Sequence, residues 1–224
     1  MEFLLVHSPL VGPTTWRWVA AALSATGHDA VVPDLRSSAA TGRPHAFVDD
    51  AVSSTPSDWS KPVVVGHSGA GFLLPSIVER LDAVHAVFVD AGLPPDNSPA
   101  TAAADFLDRL RALAVDGTLP KWSTWWSPDI MTALVPDDVR RAQLDAELPE
   151  VPIAFYEVAM ELPTDWPRRS SSFLLLSEAY RADADRARSL GWPLTERLGG
   201  HLDIVSAPEA VAPLIVDLAL ETSA

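Results

Sequence analysis

Pro62-Val63-Val64-Val65-Gly66-His67-Ser68-Gly69-Ala70-Gly71 passes from an apolar run into a cluster of small residues around one serine. The three valines read as a short buried strand. The small residues Gly66, Gly69 and Ala70 are what a sharp turn needs, because such a turn brings backbone against backbone. Phe72, Leu73, Leu74, Ile77, Val78 and Leu81 then read as a helix. A strand, a tight turn with serine at its tip and a helix make a nucleophile elbow, in which strained backbone presents the hydroxyl for attack. The strict spacing is Gly-x-Ser-x-Gly. Here the last place is Ala70, still small, and Gly71 follows at once. The competing reading is a tight turn around an idle serine; the strand before it and the helix after it favour the elbow.

Working outward, Phe3 to Val6 is a second short apolar run, leading into the loop His7-Ser8-Pro9-Leu10-Val11-Gly12-Pro13. A helix capped by Thr14 or Thr15 follows, with Trp16, Val19, Ala20 and Leu23 on its apolar face and Gly27 at its end. Asp29 to Leu35 reads as a strand with its exit loop, and residues 44 to 59 hold a further helix. Ala86-Val87-Phe88-Val89, Phe173-Leu174-Leu175-Leu176 and Leu194 to Leu198 complete the strands, and Pro208 opens a terminal helix carrying Val211, Leu214, Ile215 and Leu218. Strands alternating with helices predict an α/β three-layer sandwich: a mostly parallel six-stranded sheet covered by helices on both faces. Residues 95 to 167 break the rhythm. They hold helical stretches around 100–115, 129–146 and 153–161, no convincing strand, and Trp122, Trp125, Trp126 and Trp166. The expectation is one domain over residues 1–224 with 95–167 as a helical lid inserted in it.

Composition limits the chemistry. The 224 residues suffice for one domain with a full core. A formal net charge of −14 repels phosphate backbones and anionic headgroups, so neither nucleic acid nor a membrane is an expected partner. The acidity reads first as solubility, and only second as a preference for neutral or cationic substrates. With no cysteine, disulfides, thiolate metal sites and a cysteine nucleophile drop out. The N-terminal run has no basic region before it and reads as a strand rather than a signal peptide, and a cytoplasmic location is the expectation.

A serine hydroxyl needs a base. Of the six histidines, His67 leaves the turn in another direction, and His28, His45 and His85 read as surface residues. His201, in Gly199-Gly200-His201-Leu202 after a strand, reaches the carboxyl edge of a parallel sheet, where Ser68 also lies. The acid that orients it is open between Asp90, at the end of the strand after the elbow helix, and Glu178, at the end of the next, with Asp183 and Asp185 further along. Asp90 is preferred. Two backbone N–H groups should receive the oxyanion. Gly69 supplies one; Pro9 has no N–H, so Leu10 is the candidate for the other. Trp122, Trp125 and Trp126 either wall a substrate pocket or pack the insertion onto the body.

Together these segments resemble the α/β-hydrolase superfamily, and within it the small lidded esterases and hydroxynitrile-lyase-like proteins. The likeness rests on His7-Ser8-Pro9, Val31-Val32-Pro33-Asp34-Leu35, the elbow, Val87-Phe88-Val89-Asp90-Ala91 and Gly200-His201. The family's two opening antiparallel strands have no counterpart here. Its usual acid position holds Ala179-Tyr180, and some members carry the acid where Asp90 stands. The resemblance implies a serine hydrolase of esters, thioesters or lactones, without metal or organic cofactor, acting on a small-molecule acyl substrate. Acyl transfer or cyclisation is a variant of that chemistry. A lyase using a lysine, for which Lys61 and Lys121 are the only choices, and a non-catalytic small-molecule binder are the alternatives. Oligomeric state is not legible.

Overall fold

The computed structural model describes residues 1–96 and 99–221. Residues 97 and 98 of the expected lid span, and 222–224 at the end of the expected domain, lie outside the described residues. In chain order the elements are β1 (Glu2–Val6), α1 (Thr14–Ala25), β2 (Asp29–Val31), α2 (Arg36–Ala39), α3 (Pro44–Ser53), β3 (Val63–Ser68), α4 (Leu74–Leu81) and β4 (His85–Ala91). Then come α5 (Ala104–Leu113), β5 (Thr118–Leu119), α6 (Pro128–Leu134), α7 (Asp138–Ala146), β6 (Val151–Pro152) and α8 (Ala154–Glu157). The chain closes with β7 (Ser171–Leu175), α9 (Arg181–Ser189), β8 (Leu194–Glu196), α10 (Asp203–Ser206) and α11 (Pro208–Leu220).

Six strands form one sheet in the order β2-β1-β3-β4-β7-β8, every neighbouring pair parallel. Alternate side chains leave opposite faces of a strand, and both faces are buried. Leu4, Val6, Val64, Phe88, Phe173 and Leu175 join one apolar cluster with Phe47 of α3 and Ile77 of α4. Phe3, Leu5, Val63, Val65, Val87, Val89 and Leu174 join the other with Trp16 of α1 and Ile215 of α11. That double covering explains why the strands read as apolar runs instead of alternating ones. The sheet fans out from β1, so its carboxyl edge gathers the ends of β1, β3, β4 and β7, where crevices for ligands form in open parallel sheets.

Several local expectations are corrected. The stretch after the elbow is a 3₁₀ turn over Gly69–Leu73 before α4 begins, with Pro75 in its first turn, where a missing N–H costs nothing. The helix expected over 44–59 ends at Ser53, ahead of Pro56. Neither Thr14 nor Thr15 caps α1: the Thr14 N–H donates to the Glu147 carboxylate at 2.8 Å, and the Thr15 hydroxyl donates to the Gly12 carbonyl at 2.7 Å. Residues 95–167 carry an antiparallel pair, β5 with β6, where no strand was expected. Two residues on each side are too few for any alternation to show. Among the described residues no helix is long and apolar enough to cross a membrane.

Candidate active site

Ser68 ends β3 with φ 57° and ψ −125°, a backbone conformation that side-chain-bearing residues avoid. Such strain costs on the order of 1–3 kcal/mol and persists where the surroundings impose it. Here they do. A methyl group on Gly71 would lie 2.4 Å from the Gly92 carbonyl oxygen, and one on Gly66 would lie 2.7 Å from Leu74 Cδ2. Ala70 is fully buried, so the alanine in the last motif position fits the turn. The register of β3 with β4 shifts between His67 and Ser68, and the Gly92 N–H donates to the Ser68 carbonyl at 3.2 Å. The elbow is thus tied to the end of the strand that carries Asp90.

Asp90 is wholly buried. Its Oδ1 accepts the Leu176 and Ser177 N–H groups at 2.8 and 2.9 Å; its Oδ2 accepts the Ser177 hydroxyl at 2.6 Å and His201 Nδ1–H at 2.7 Å. Burial pushes this carboxyl upward, but the imidazole of His201 and the Ser177 and Leu176 donors outweigh it and hold it below the usual carboxylate range. With Nδ1–H committed to Asp90, His201 Nε2 carries the free lone pair, the form a general base requires. Glu178, the other candidate acid, is exposed and pairs with Arg181 at 2.9 Å.

His67 completes the support of that imidazole. Its Nε2–H donates to the His201 carbonyl at 2.9 Å, and the two rings lie 4.3 Å apart at 31°. Burial first, then the neighbouring His201, lowers His67 to about 3, so it stays neutral and adds no competing charge. His7 plays a matching part on the other loop: Nδ1–H donates to the Ser8 carbonyl at 2.8 Å and Nε2 accepts the Leu35 N–H at 3.0 Å. His85, expected at the surface, is instead buried at the start of β4, with Ser170 Oγ and Ser172 Oγ each 2.8 Å from a ring nitrogen.

A cavity of about 20 Å³, lined by Ser8, Leu10, Val11, His67, Ser68, Trp122, His201 and Leu202, brings together four of the predicted residues, Ser68, His201, Leu10 and Trp122. That is the volume of roughly one water molecule. Of the three tryptophans only Trp122 lines it, its ring 6.5 Å from that of His201. Trp125 donates Nε1–H to the Pro120 carbonyl at 3.0 Å, and Trp126 is 43% exposed; both lie off the cavity wall. The Leu10 N–H is directed at Ser8 Oγ at 3.4 Å, so the group expected to point at an oxyanion already has an acceptor. Neither lysine lines the cavity: Lys61 pairs with Asp82 at 3.2 Å, and Lys121 Nζ faces the Asp145 carbonyl at 3.5 Å. No group of three or more His, Asp or Glu side chains forms a metal site among the described residues.

Tyr180 was missed by the sequence reading. Its hydroxyl shares a hydrogen bond of 2.9 Å with Ser68 Oγ, and its ring stacks on His201 at 5.1 Å and 13°. Burial pushes its phenol up to about 12. Tyr156, on α8, places its hydroxyl beside Gly69, 3.9 Å from where a Cβ on that glycine would stand. The chain contains just two tyrosines, and both stand here; that scarcity, with Tyr180 in a loop leaving the sheet's carboxyl edge, was the available signal.

A strained serine elbow on a parallel sheet, beside a histidine held by a buried carboxylate, defines a protein of the α/β-hydrolase class. The family model described as the alpha/beta hydrolase family matches residues 3–214, and the chain belongs to that family. Esterase PIR7B of Oryza sativa subsp. japonica is 36% identical over 108 residues, covering 42% of this chain and 39% of that esterase's own length. Among solved structures, an extracellular α/β-hydrolase from a Paenibacillus species, described as sharing structural and functional homology with tobacco salicylic acid binding protein 2, superposes with a TM-score of 0.77 at 17% identity, over 99% of this chain and 100% of its own. Polyneuridine aldehyde esterase does so with a TM-score of 0.75 at 17% identity, over 97% and 98%. Likeness at this identity establishes the shared fold.

Proposed function

We propose that the protein is a serine hydrolase that cleaves a carboxylic ester, thioester or lactone through an acyl-enzyme on Ser68. The observation that carries this reading is the hydrogen bond from His201 Nδ1–H to the buried Asp90, at the sheet edge where Ser68 stands in a strained elbow. The esterase among its relatives supports it.

In the first half-reaction Ser68 Oγ turns from Tyr180 toward His201, gives its proton to Nε2 and bonds to the carbonyl carbon. The carbonyl oxygen becomes an oxyanion facing the Gly69 N–H. Collapse of the tetrahedral adduct expels the alcohol or thiol, which takes the proton from His201. Water then loses a proton to the same nitrogen, attacks the acyl carbon and releases the acid, returning the proton to Ser68. Asp90 fixes the tautomer and offsets the charge of the imidazolium; it does not take the proton. Residues 95–167 serve as the lid. Trp122, on the wall of the small cavity beside Ser68, is the lid residue placed to meet the substrate.

A fluorophosphonate probe tests the reading. Labelling of the wild-type protein that disappears in Ser68→Ala and in His201→Ala is the expected result. A wild-type protein that is not labelled contradicts it and favours small-molecule binding without turnover.

A further inference from the structure

The oxyanion site is short of backbone donors: Pro9 has no N–H, and the Leu10 N–H is taken by Ser8 Oγ. Close by is a hydroxyl with the opposite problem. Tyr156 Oη is buried and has no hydrogen-bond partner among the described residues. Buried polar groups are nearly always satisfied, and one that is not calls for an explanation. Its position is firmly set. The Tyr156 N–H donates to the Ile153 carbonyl at 2.9 Å, and the ring meets Phe106 and Phe155 edge-on at 5.8 and 5.3 Å. Phenylalanine would fill the same place without an orphaned hydroxyl, and this chain uses seven phenylalanines against two tyrosines.

The hydroxyl points at the elbow. A methyl group built on Gly69 would lie 3.9 Å from Tyr156 Oη and 3.1 Å from Ser8 Oγ, so both oxygens stand beside the residue that follows the nucleophile. We infer that Tyr156 is a catalytic residue, whose O–H donates to the oxyanion of the tetrahedral intermediate and takes the place of the N–H missing at Pro9. Its partner arrives only with the reacting substrate, which explains why the group is unpaired in the resting protein. The proton stays on the tyrosine throughout: burial drives its phenol far above the ordinary range, so it donates and does not ionise. Such an interaction strengthens as charge develops on the carbonyl oxygen, so it acts on kcat more than on KM.

This inference rests on the serine-hydrolase reading, and Tyr156→Phe tests it separately. With a p-nitrophenyl ester that the wild-type protein turns over, the variant should lose about 10²-fold in kcat with KM changed less than about threefold. Affinity for a trifluoromethyl ketone, which forms the tetrahedral oxyanion on Ser68, should fall by the same factor as kcat/KM. The thermal midpoint should hold or rise, since the change removes an unsatisfied buried group. A variant with wild-type kcat and undiminished ketone affinity overturns the inference while leaving the hydrolase reading intact. Equal losses in thermal midpoint and in fluorophosphonate labelling would mark a packing role and overturn it as well. A wild-type protein inert to both ester and fluorophosphonate overturns the two readings together.

Discussion

Ser68 Oγ and Tyr180 Oη are hydrogen-bonded at 2.9 Å, while the imidazole that should deprotonate the serine is stacked flat against the tyrosine ring. The proposed nucleophile is therefore parked on a neighbour of its proposed base. Attack requires the Ser68 hydroxyl to exchange one hydrogen bond for another, and a neutral bond of this kind contributes about 1 kcal/mol. Tyr180→Phe keeps the stacked ring and removes the competitor. The second-order rate of fluorophosphonate labelling should rise roughly fivefold, the factor that corresponds to such a bond. A fall in that rate would instead make the tyrosine hydroxyl a working part of the reaction.

Asp90 has two jobs, and they separate in Asp90→Asn. The amide keeps an oxygen for the Leu176 and Ser177 N–H groups but offers no anion to His201. The variant should fold, with kcat reduced about 10³–10⁴-fold. Glu178→Gln, altering an exposed partner of Arg181, should stay within about twofold of wild type, as surface changes generally do. If Glu178→Gln is the damaging change, the acid has been misassigned.

Gly71 lets the elbow of Ser68 approach the end of the strand that carries Asp90. In Gly71→Ala the new methyl would meet the Gly92 carbonyl oxygen and Ala91 Cβ, prising the elbow from the end of β4. Overpacking of this type costs about 1–3 kcal/mol, so a lower unfolding midpoint and lost labelling are expected together. Ala70→Gly only restores the strict motif and should keep its activity. An unperturbed Gly71→Ala variant would mean that the close approach is not needed.

Stability should fall in mild acid. Burial holds His7 and His85 at about 4 and His67 at about 3, whereas in the unfolded chain they titrate near 6.5. Between those values the unfolded state binds protons that the folded state refuses. The stabilisation is complete above about pH 6.5 and is lost as pH falls toward 4, on the order of 1 kcal/mol per histidine by about pH 5.5. Carboxylates titrate mostly below this window. Urea midpoints measured at about pH 7.5 and 5.5 check it; equal midpoints would mean that these rings are not held neutral.

How much was legible follows from the range of the interactions. The elbow could be read because its signal is local: valines, then small residues, then an apolar helix. Asp90 and His201 could be read because a parallel sheet brings every strand's carboxyl end to one edge, whatever lies between. Tyr180 reaches Ser68 and Tyr156 reaches Gly69 only through packing of distant segments, and nothing in their immediate neighbours announces it. His85 was misplaced because one residue at a strand's mouth can face either solvent or, as here, Ser170 and Ser172 at the start of the neighbouring strand. Trp125 and Trp126 share Trp122's neighbourhood in sequence, but a 3₁₀ turn over Trp122–Trp125 sends only the first ring toward the cavity.

The most direct test is to catch the acyl group. A p-nitrophenyl ester mixed with the protein and quenched in acid during the first turnover should add the mass of one acyl group, mapped by peptide sequencing to Ser68 and absent from Ser68→Ala. Ester turnover with no acylated serine, or an adduct that persists in Ser68→Ala, would contradict the mechanism.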